Sequence, residues 1–392
     1  MRQCSRTVSA DRYDAIVLGA RCAGAPAAMQ LARKGWRVLL VDRGSFPSDI
    51  PHGHFIHRGG PRSLSRWGLL GQLSACSPPI TAFTMDAGDF PLTGRDMVID
   101  GVAFGYAPRR SALDKVLVDA AVAAGAELRE RVVFEAPLWE DGRVVGIRGR
   151  MAVTGQPVEE RATVTIGADG RNSRLAAAVE APAYDAVPAV TCWYFSYWSG
   201  VPSEGLEIYV RKDRMIFAFP TGDELFGIFL SSPAQDLAAL RSDLDCGFMS
   251  AVDAVPEFGE RVRNGRREER YQGATDLPNF FRKPYGPGWA LVGDAGCHKD
   301  PCFALGICDA FRDVDLLVDA LDAALSGRTE WDTALAAYEQ QRNALGRDEY
   351  WQNLSAARFE APPARMMDAR AAVKGNAEAT RQLYLAREGL LA

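Results

Sequence analysis

The sequence predicts an α/β fold with three parts: a parallel sheet flanked by helices, an α+β part with a mixed or antiparallel sheet, and a C-terminal helical segment. Residues 13–44 predict the first part, because two short apolar runs enclose a helix rich in small residues. Residues 181–280 predict the second part, because apolar and aromatic residues alternate there along several short runs. Beyond Arg347 the pattern is helical, with an interruption at APPAR, residues 361–365.

Composition narrows the class of protein. The chain has 392 residues, 47% hydrophobic and 24% charged, as in ordinary globular proteins, and a formal net charge of −5. That charge gives no reason to expect a nucleic-acid partner, and without a run of 18 apolar residues no membrane span is expected. The polar N-terminus, residues 1–14, lacks the apolar core of a signal peptide. We therefore expect a cytoplasmic protein whose eight cysteines are reduced.

Residues 13–44 have the pattern of a dinucleotide-binding βαβ unit. AIVLG and RVLLVD are apolar runs suited to buried parallel strands, and AGAPAAMQLARKG between them predicts a helix. Gly19 supplies the tight turn and Gly24 allows the helix to pack on the sheet, while Asp42 can accept hydrogen bonds from a ribose diol. The middle glycine of the motif is replaced by Arg21, whose side chain could meet the phosphates instead.

Two later segments repeat an apolar strand followed by a polar turn. Residues 162–179 place such a strand before Asp169 and Gly170, and residues 288–296 place one before Asp294. Because the carboxyl ends of parallel strands meet at one edge of a sheet, these three loops can converge on one extended ligand.

Together these segments resemble the FAD-dependent monooxygenase (aromatic hydroxylase) family, which shares its fold with geranylgeranyl-type reductases and flavin halogenases. The matching segments are GARCAG with VDR, RRSALDKVL at 109–117, GADGRNS at 167–173 and GDAGCHKDPCFALGICDA at 293–310. The resemblance implies a Rossmann-like, glutathione reductase-like FAD-binding domain with a parallel sheet, formed by residues 1–79, 106–180 and 281–345. It also implies a substrate-binding β-sheet domain from residues 80–105 and 181–280, followed by the C-terminal helical segment 346–392.

The resemblance also assigns roles to individual residues. Asp42 would hold the ADP half of FAD together with the glycine turn, and Asp294 would accept from a ribityl hydroxyl. Arg110 would reach the pyrophosphate or the ribityl chain. Asp169 and Gly170 belong to a segment associated with both FAD and the transient use of NADH or NADPH. The complete set of expected cofactor-binding residues is Gly19, Arg21, Cys22, Ala23, Gly24, Asp42, Arg43, Arg110, Asp169, Gly170, Asp294, Pro301, Leu305, Gly306 and Ile307.

Residues 292–311 hold four candidate metal ligands within a short stretch: Cys297, His298, Cys302 and Cys308. The spacing Cys-x4-Cys-x5-Cys has no second cysteine cluster to complete a tetrahedral zinc site, so no metal is expected. After Gly306 apolar residues recur at helical spacing, which predicts a loop that ends at a helix N-terminus. Such a helix end stabilises the negative charge of a reduced flavin. Ala304 stands where the family has a glycine.

The four histidines fall in two segments expected near the flavin: His52, His54, His57 and His298. Histidine exchanges its proton near neutral pH, and hydroxylation of a phenol or an amine benefits from a base. His54 and His298 are therefore the expected catalytic residues. Two alternatives stay open: simple hydrogen bonding of these histidines to loop backbone, and an H-x-H-x2-H metal site.

Aromatic residues concentrate between the cofactor motifs. Trp193, Phe195 and Tyr197 share one side of an expected strand, and Phe217 and Phe219 occupy a later one. These five are the expected substrate-contacting residues, because an aromatic-lined sheet suits a flat, apolar small molecule. Packing of an ordinary core explains the same pattern.

The resemblance implies a monooxygenase that uses NADH or NADPH and O2 to oxygenate a small aromatic or heteroaromatic metabolite through a flavin C4a-hydroperoxide, with a place in secondary metabolite biosynthesis. A geranylgeranyl-type reductase is the alternative. A halogenase is less favoured, because IFAFPTG at residues 216–222 has neither tryptophan of the W-x-W-x-I-P stretch. A separate flavin reductase as electron donor and a silent flavin carrier stay open, and the chain is expected to be a monomer or a homodimer.

Overall fold

A computed structural model of the chain describes residues 12–390. Our expectation of a cytoplasmic protein rests on the polar N-terminal stretch. Residues 1–11 of that stretch lie outside the described residues. Among residues 12–390, no helix combines the length and the apolarity needed to cross a membrane.

The described chain contains short and long strands in three larger sheets and two small ribbons. The strands are β1 (Tyr13–Leu18), β2 (Val38–Val41), β3 (Pro79–Ile80), β4 (Phe83–Asp86), β5 (Pro91–Gly94), β6 (Val98–Ile99), β7 (Val102–Ala103), β8 (Gly105–Tyr106), β9 (Glu127–Arg129), β10 (Val132–Glu140), β11 (Arg143–Met151), β12 (Pro157–Gly167), β13 (Ala183–Val187), β14 (Thr191–Ser199), β15 (Leu206–Arg211), β16 (Arg214–Pro220), β17 (Phe226–Pro233), β18 (Arg266–Arg267), β19 (Gln272–Ala274), β20 (Asn279–Arg282), β21 (Tyr285–Gly286), β22 (Trp289–Leu291) and β23 (Cys297–His298).

The helices pack on both faces of the first sheet, on the second sheet and along the C-terminal part of the chain. They are α1 (Gly24–Arg33), α2 (Gly59–Trp67), α3 (Leu70–Ser74), α4 (Arg110–Ala123), α5 (Arg174–Ala178), α6 (Leu237–Ser242), α7 (Leu244–Asp253), α8 (Pro256–Asn264), α9 (Gly306–Leu325), α10 (Trp331–Ala357), α11 (Ala364–Val373) and α12 (Ala377–Arg387).

The first sheet confirms the expected βαβ unit. β1 pairs in parallel with β2 on one side and with β12 on the other, Ala15 standing opposite Val38 and Val164. β9 extends the parallel order beyond β2, and β22 extends it beyond the end of β12, while β10 and β11 add an antiparallel extension. The strands β1 and β2 are apolar because both faces of the sheet are covered, α1 contributing buried alanines.

The parallel register brings three loops to one edge of this sheet. Leu18, at the end of β1, pairs with Gly167 at the end of β12, which in turn pairs with Leu291 at the end of β22. The chain that follows each of these strands therefore begins at the same place. This is the convergence that the sequence predicts.

The second sheet has the order β18-β14-β17-β16-β15-β4-β5, with β19 also paired to β14. Its neighbours are antiparallel except β4 and β15, which are parallel with Phe83 opposite Leu206, so the sheet is mixed. One face packs on α7 and α8 through Tyr194 and Trp198. The other face carries Trp193, Phe195 and Tyr197 and belongs to the core shared with the C-terminal helices.

A third, three-stranded sheet of β13, β20 and β23 connects the two larger ones. The C-terminal helices confirm the expected helical segment. Helix α10 runs without a break through residue 345, where we expect a domain boundary, because its buried face packs continuously along α9. α11 and α12 then cross the second sheet near β5.

Candidate functional site

The turn after β1 is tight and closely packed. Gly19 has a φ of +95°, and a β-carbon on Gly24 would lie 1.7 Å from the carbonyl oxygen of Gly19. Only glycine at both positions lets helix α1 start directly against the end of the strand. Cys22 is buried and Ala23 is half-buried immediately before helix α1.

Asp42 stabilises this turn from the end of β2. It accepts hydrogen bonds from the backbone N–H of Ala20 (2.8 Å, at Oδ2) and of Gly44 (2.7 Å, at Oδ1). Each carboxylate oxygen keeps a second lone pair that can accept from a ligand. Arg43, the next residue, is exposed.

A buried ionic cluster lies between α1 and α4. Asp114 is fully buried and receives hydrogen bonds from Arg110 (2.9 Å to Oδ1) and Cys22 (3.5 Å), and it forms an ion pair with Arg21. Arg110 and Asp114 are four positions apart on one helix face. This pair could have been predicted from the helical spacing in RSALD, but we did not predict it. Arg110 is the first residue of α4, and its charge is buried within this cluster.

The loop that follows β12, the second of the three converging loops, leaves two buried polar atoms without hydrogen-bond partners. Asp169 accepts at Oδ2 from the backbone N–H of Arg174 (2.8 Å), the first residue of helix α5, while its Oδ1 is buried with no hydrogen-bond partner. Burial raises the pKa of Asp169, although these hydrogen bonds oppose the shift. The Nε of Arg171 is likewise buried and unpartnered. Gly170 between them has a φ of +81°. Unpartnered buried atoms in such a cleft are those a ligand can satisfy.

The third loop begins at β22 and leads to α9. Asp294 is half-buried, and within residues 12–390 its side chain makes no hydrogen bond. It lines a cleft with Lys299, Leu305 and Gly306. The loop passes through a short turn at Pro301, takes a left-handed conformation at Ala304 (φ 53°, ψ 33°) and enters α9 at Gly306. This confirms the predicted loop and helix N-terminus, with Ile307 buried in the first helical turn.

Within residues 12–390, no group of three or more His, Cys, Asp or Glu side chains is arranged to hold a metal ion. Cys297 on β23 and Cys308 in α9 lie in different surroundings. Burial raises the pKa of Cys297 and of Cys308 to about 12, so both are neutral thiols at physiological pH. Cys308 is hydrogen-bonded to the backbone of His57.

His54 is buried beneath the second sheet, with a partner for each nitrogen. Its Nδ1 lies 3.1 Å from the carbonyl oxygen of Ala107 and its Nε2 2.8 Å from the hydroxyl of Tyr197. Burial and the charge of Arg109 lower the pKa of His54 to about 3. The ring is therefore neutral, with Nδ1–H donating to the carbonyl and Nε2 accepting from Tyr197. His54 can reach a ligand only through the Tyr197 hydroxyl.

His298, the other expected base, lies on β23. Its Nδ1 contacts the carbonyl oxygen of Pro278, which leaves Nε2 as the acceptor. His52, which sequence reasoning did not select, faces the same cleft. Desolvation and the nearby charges of Arg110 and Arg171 lower the pKa of His52, although its side chain is exposed to solvent. His57 lies apart and contacts Glu388 and the carbonyl oxygen of Phe303.

The five expected substrate residues share one face of the second sheet: Trp193, Phe195, Tyr197, Phe217 and Phe219. The rings of Phe195, Tyr197, Phe217 and Phe219 form a continuous aromatic surface that Phe229 completes, at 4.6 Å from Phe195 and 5.2 Å from Phe219. His54 lies at the edge of this surface, 5.3 Å from Phe219. The arrangement comes from the alternation of side chains along β14 and β16.

Asp300 joins this aromatic surface to the third loop. Its carboxylate accepts from the indole N–H of Trp193 (3.3 Å), from the hydroxyl of Thr191 and from the backbone N–H of Cys302 (3.1 Å). Burial raises the pKa of Asp300 to about 6. Asp300 was not among the predicted site residues, because nothing in the local sequence shows that β14 lies beside it.

The FAD binding domain family matches residues 12–220, just over half of the chain. The chain belongs to this FAD-binding family. It is an FAD-dependent oxidoreductase. The digeranylgeranylglycerophospholipid reductase of Methanosarcina mazei is 26% identical to this FAD-binding protein over 353 residues, which cover 86% of this chain and 82% of the reductase.

Two solved structures show the same fold. The myxobacterial chondrochloren halogenase CndH has a TM-score of 0.80 and 19% identity, covering 97% of this chain and 98% of its own. PqsL of Pseudomonas aeruginosa, solved with 2-aminobenzoylacetate, has a TM-score of 0.77 and 18% identity, covering 95% and 100% of the two chains. At these identities the likeness concerns the fold alone.

The residues along the cleft fit FAD. The carboxylates of Asp42 and Asp294 suit sugar and ribityl hydroxyls, and the guanidiniums of Arg110 and Arg171 suit a pyrophosphate. The buried Nε of Arg171 has no protein partner to lose, so an anion placed there costs no existing hydrogen bond.

Proposed function

We propose that this FAD-dependent oxidoreductase is a monooxygenase that acts on a small aromatic or heteroaromatic molecule with NADH or NADPH and O2. The observation that carries the proposal is the aromatic surface of the second sheet, bonded through Trp193 and Asp300 to the loop that precedes α9. A flat substrate on that surface would lie beside the cofactor cleft. PqsL, whose fold this chain shares, was solved with 2-aminobenzoylacetate.

Bound FAD would supply the redox chemistry and the activation of oxygen, which protein side chains cannot perform. The chain's own part is to hold the cofactor and to keep the reacting region dry. Asp42, Asp294 and Arg110 hold the cofactor in this proposal. The aromatic surface excludes water, because its rings are almost completely buried.

Proton transfer would depend on two different histidines. His298 has a free acceptor nitrogen, Nε2, and is the candidate base that can meet a substrate proton directly. His54 acts one step away, because its Nε2 already accepts from the Tyr197 hydroxyl. Tyr197 is thus the group that would touch the substrate, and His54 is a positioning residue that orients its hydroxyl.

Electrons would come from NADH or NADPH without a separate nicotinamide domain. Asp169 and Gly170 stay the proposed contact for this donor, since Oδ1 of Asp169 is buried and unpartnered. A separate flavin reductase is the alternative donor. The protein would work as a monomer or a homodimer in the cytoplasm, within secondary metabolism.

A geranylgeranyl-type reductase is the second candidate, because a reductase of this kind is 26% identical over 86% of the chain. In that case reduced flavin would pass its electrons to an alkene and O2 would not be needed. The two candidates share every cofactor contact described above. They differ in what reoxidises the flavin.

Stopped-flow spectroscopy of the purified holoprotein separates the two candidates. The flavin is first reduced anaerobically with NADH or NADPH and then mixed with O2 or with a polyprenyl alkene. A monooxygenase is expected to pass through a spectrum unlike that of oxidised or reduced flavin before it returns to the oxidised state. Direct return to oxidised flavin in O2, with rapid reoxidation by the alkene, would favour the reductase. Failure of both nucleotides to reduce the flavin would favour a partner reductase.

A further inference from the structure

Arg21 occupies the position at which the dinucleotide motif has its middle glycine. Its guanidinium pairs with Asp114, donates to the Ser48 hydroxyl (3.1 Å) and lies 5.2 Å from the ring centre of Phe46. The side chain is 24% exposed, so it sits at the border between the buried cluster and the open cleft. These three partners come from helix α4 and from the loop that follows β2.

Three guanidiniums come together near Arg21. Arg110 and Arg21 share the carboxylate of Asp114, and Arg171 adds a third guanidinium nearby. Guanidiniums bind phosphate oxygens through charged, bidentate hydrogen bonds, so their convergence favours a pyrophosphate ligand.

Asp114 would not lose its partners if Arg21 moved away. Arg110 donates to both of its oxygens, at 2.9 and 3.2 Å, and Cys22 adds a third contact. Release of Arg21 therefore leaves a carboxylate that is still hydrogen-bonded and paired, which avoids the large penalty of a bare buried charge.

We propose that Arg21 binds the pyrophosphate of FAD with its guanidinium, moving from Asp114 while Arg110 remains there. A glycine at this position of the motif lets the backbone approach the phosphates, whereas this chain has the side chain of Arg21 there. The arginine replaces the lost backbone contact with a charged, bidentate one. The inference requires FAD binding and does not depend on which substrate is oxidised.

The decisive variant is Arg21→Gly, which restores the family motif. Flavin-free protein is titrated with FAD and, separately, with riboflavin, which has no phosphate, and binding is followed by flavin fluorescence at low and high NaCl. If Arg21 binds the phosphates, the variant binds FAD about 10- to 100-fold more weakly, the range expected for a charged hydrogen bond. Riboflavin binding stays the same, and the salt dependence of FAD binding becomes shallower.

Two further variants keep the result interpretable. Arg21→Lys retains a charge without the bidentate geometry. Its affinity for FAD is expected to lie between those of the unmodified protein and Arg21→Gly. Ser48→Ala removes a neighbouring contact and is the matched control, with FAD affinity close to that of the unmodified protein. Circular dichroism melting reports folding of each variant. Equal or tighter FAD binding by Arg21→Gly, in a folded protein, would overturn the proposal and make Arg21 a structural partner of Asp114.

Discussion

Ala304 has a left-handed backbone, φ 53° and ψ 33°, in the loop that leads into α9. Residues with a β-carbon rarely adopt this conformation, because the β-carbon crowds the neighbouring carbonyl oxygen. The alanine therefore carries a conformational cost that the surrounding contacts must offset. That cost gives a simple test of the loop conformation.

Ala304→Gly should stabilise the folded protein by roughly 0.5–1 kcal/mol, since relief of about 1–2 kcal/mol of strain is partly offset by the greater freedom of glycine when unfolded. Ala304→Val, with a branched β-carbon, should lower the free energy of unfolding. Urea denaturation of both variants with saturating FAD measures the difference. The left-handed conformation would be contradicted if glycine destabilised the protein and valine did not.

His298 permits a second test at the level of one residue. His298→Ala should keep the FAD spectrum, because the expected cofactor contacts come from other residues, but should slow product formation by roughly 10²- to 10⁴-fold if Nε2 is a general base. Oxidation of NAD(P)H would continue and release peroxide. His298→Gln can keep a hydrogen bond to Pro278, so recovery of activity in that variant would show a structural role and contradict the base.

Residues that act through local spacing could be predicted, and those that act through distant contacts could not. Asp42 and Gly24 follow from a short motif with its own geometry. The Arg110–Asp114 pair follows from helical spacing. His54, in contrast, is neutralised by packing and by contacts with residues 53 and 143 positions away, which no local pattern encodes.

At the level of elements, the junction between the third loop and β14 is the informative feature. Asp300 receives three hydrogen bonds there, and Asn353 of α10 donates to its backbone carbonyl (2.9 Å). The strand itself was predictable from alternating aromatic residues. The position of the third loop beside this strand was not predictable. The loop is held there by the pairing of β20 with β13 and β23, which joins segments that are distant along the chain. The individual elements of the site could therefore be predicted from the sequence, but the contacts between these elements could not.

The carboxyl group of Asp300 makes this junction sensitive to pH. Burial raises its pKa to about 6 in the folded protein, above the value of about 3.9 in an unfolded chain. Between these values the folded state binds more protons, so this group adds stability as the pH falls from about 7 to about 4. Asp300→Asn cannot bind that proton.

We therefore expect Asp300→Asn to be destabilised relative to the unmodified protein by more at pH 4.5 than at pH 7.5. Urea denaturation at both pH values, with FAD present, measures the two differences. Asp309→Asn is a useful comparison, because Lys299 and Arg312 lower the pKa of Asp309 despite its burial and its pH dependence has the opposite sign. Equal differences at the two pH values would contradict the assignment for Asp300.

For the whole molecule, the C-terminal segment holds the two sheets together. Tyr384 of α12 packs 4.5 Å from Phe83 and donates to the carbonyl oxygen of Leu92 (2.7 Å) on the second sheet. Glu388, just beyond α12, pairs with His57 at 2.5 Å, and His57 also contacts the carbonyl oxygen of Phe303 in the loop before α9. The sequence predicted the helices but not this contact, which joins residues 331 positions apart.

Glu388 provides the test of that connection. Burial alone would raise its pKa, but His57, with help from Arg387, holds the pKa below its usual range. A depressed pKa means that the carboxylate stabilises the folded protein above about pH 4.3 and that this contribution is lost as the pH falls through the folded-state value. Glu388→Gln removes the charged hydrogen-bond partner of a buried histidine, a change that costs about 1.5–3 kcal/mol at pH 7. The exposed Glu378→Gln on the same helix is the control and should cost about 0.5 kcal/mol or less. Urea denaturation from pH 7 to pH 3.5 measures the difference in the free energy of unfolding between the unmodified protein and Glu388→Gln. This difference should become smaller as the pH falls. A difference that stays constant would mean that the contact with His57 adds no charge-dependent stability.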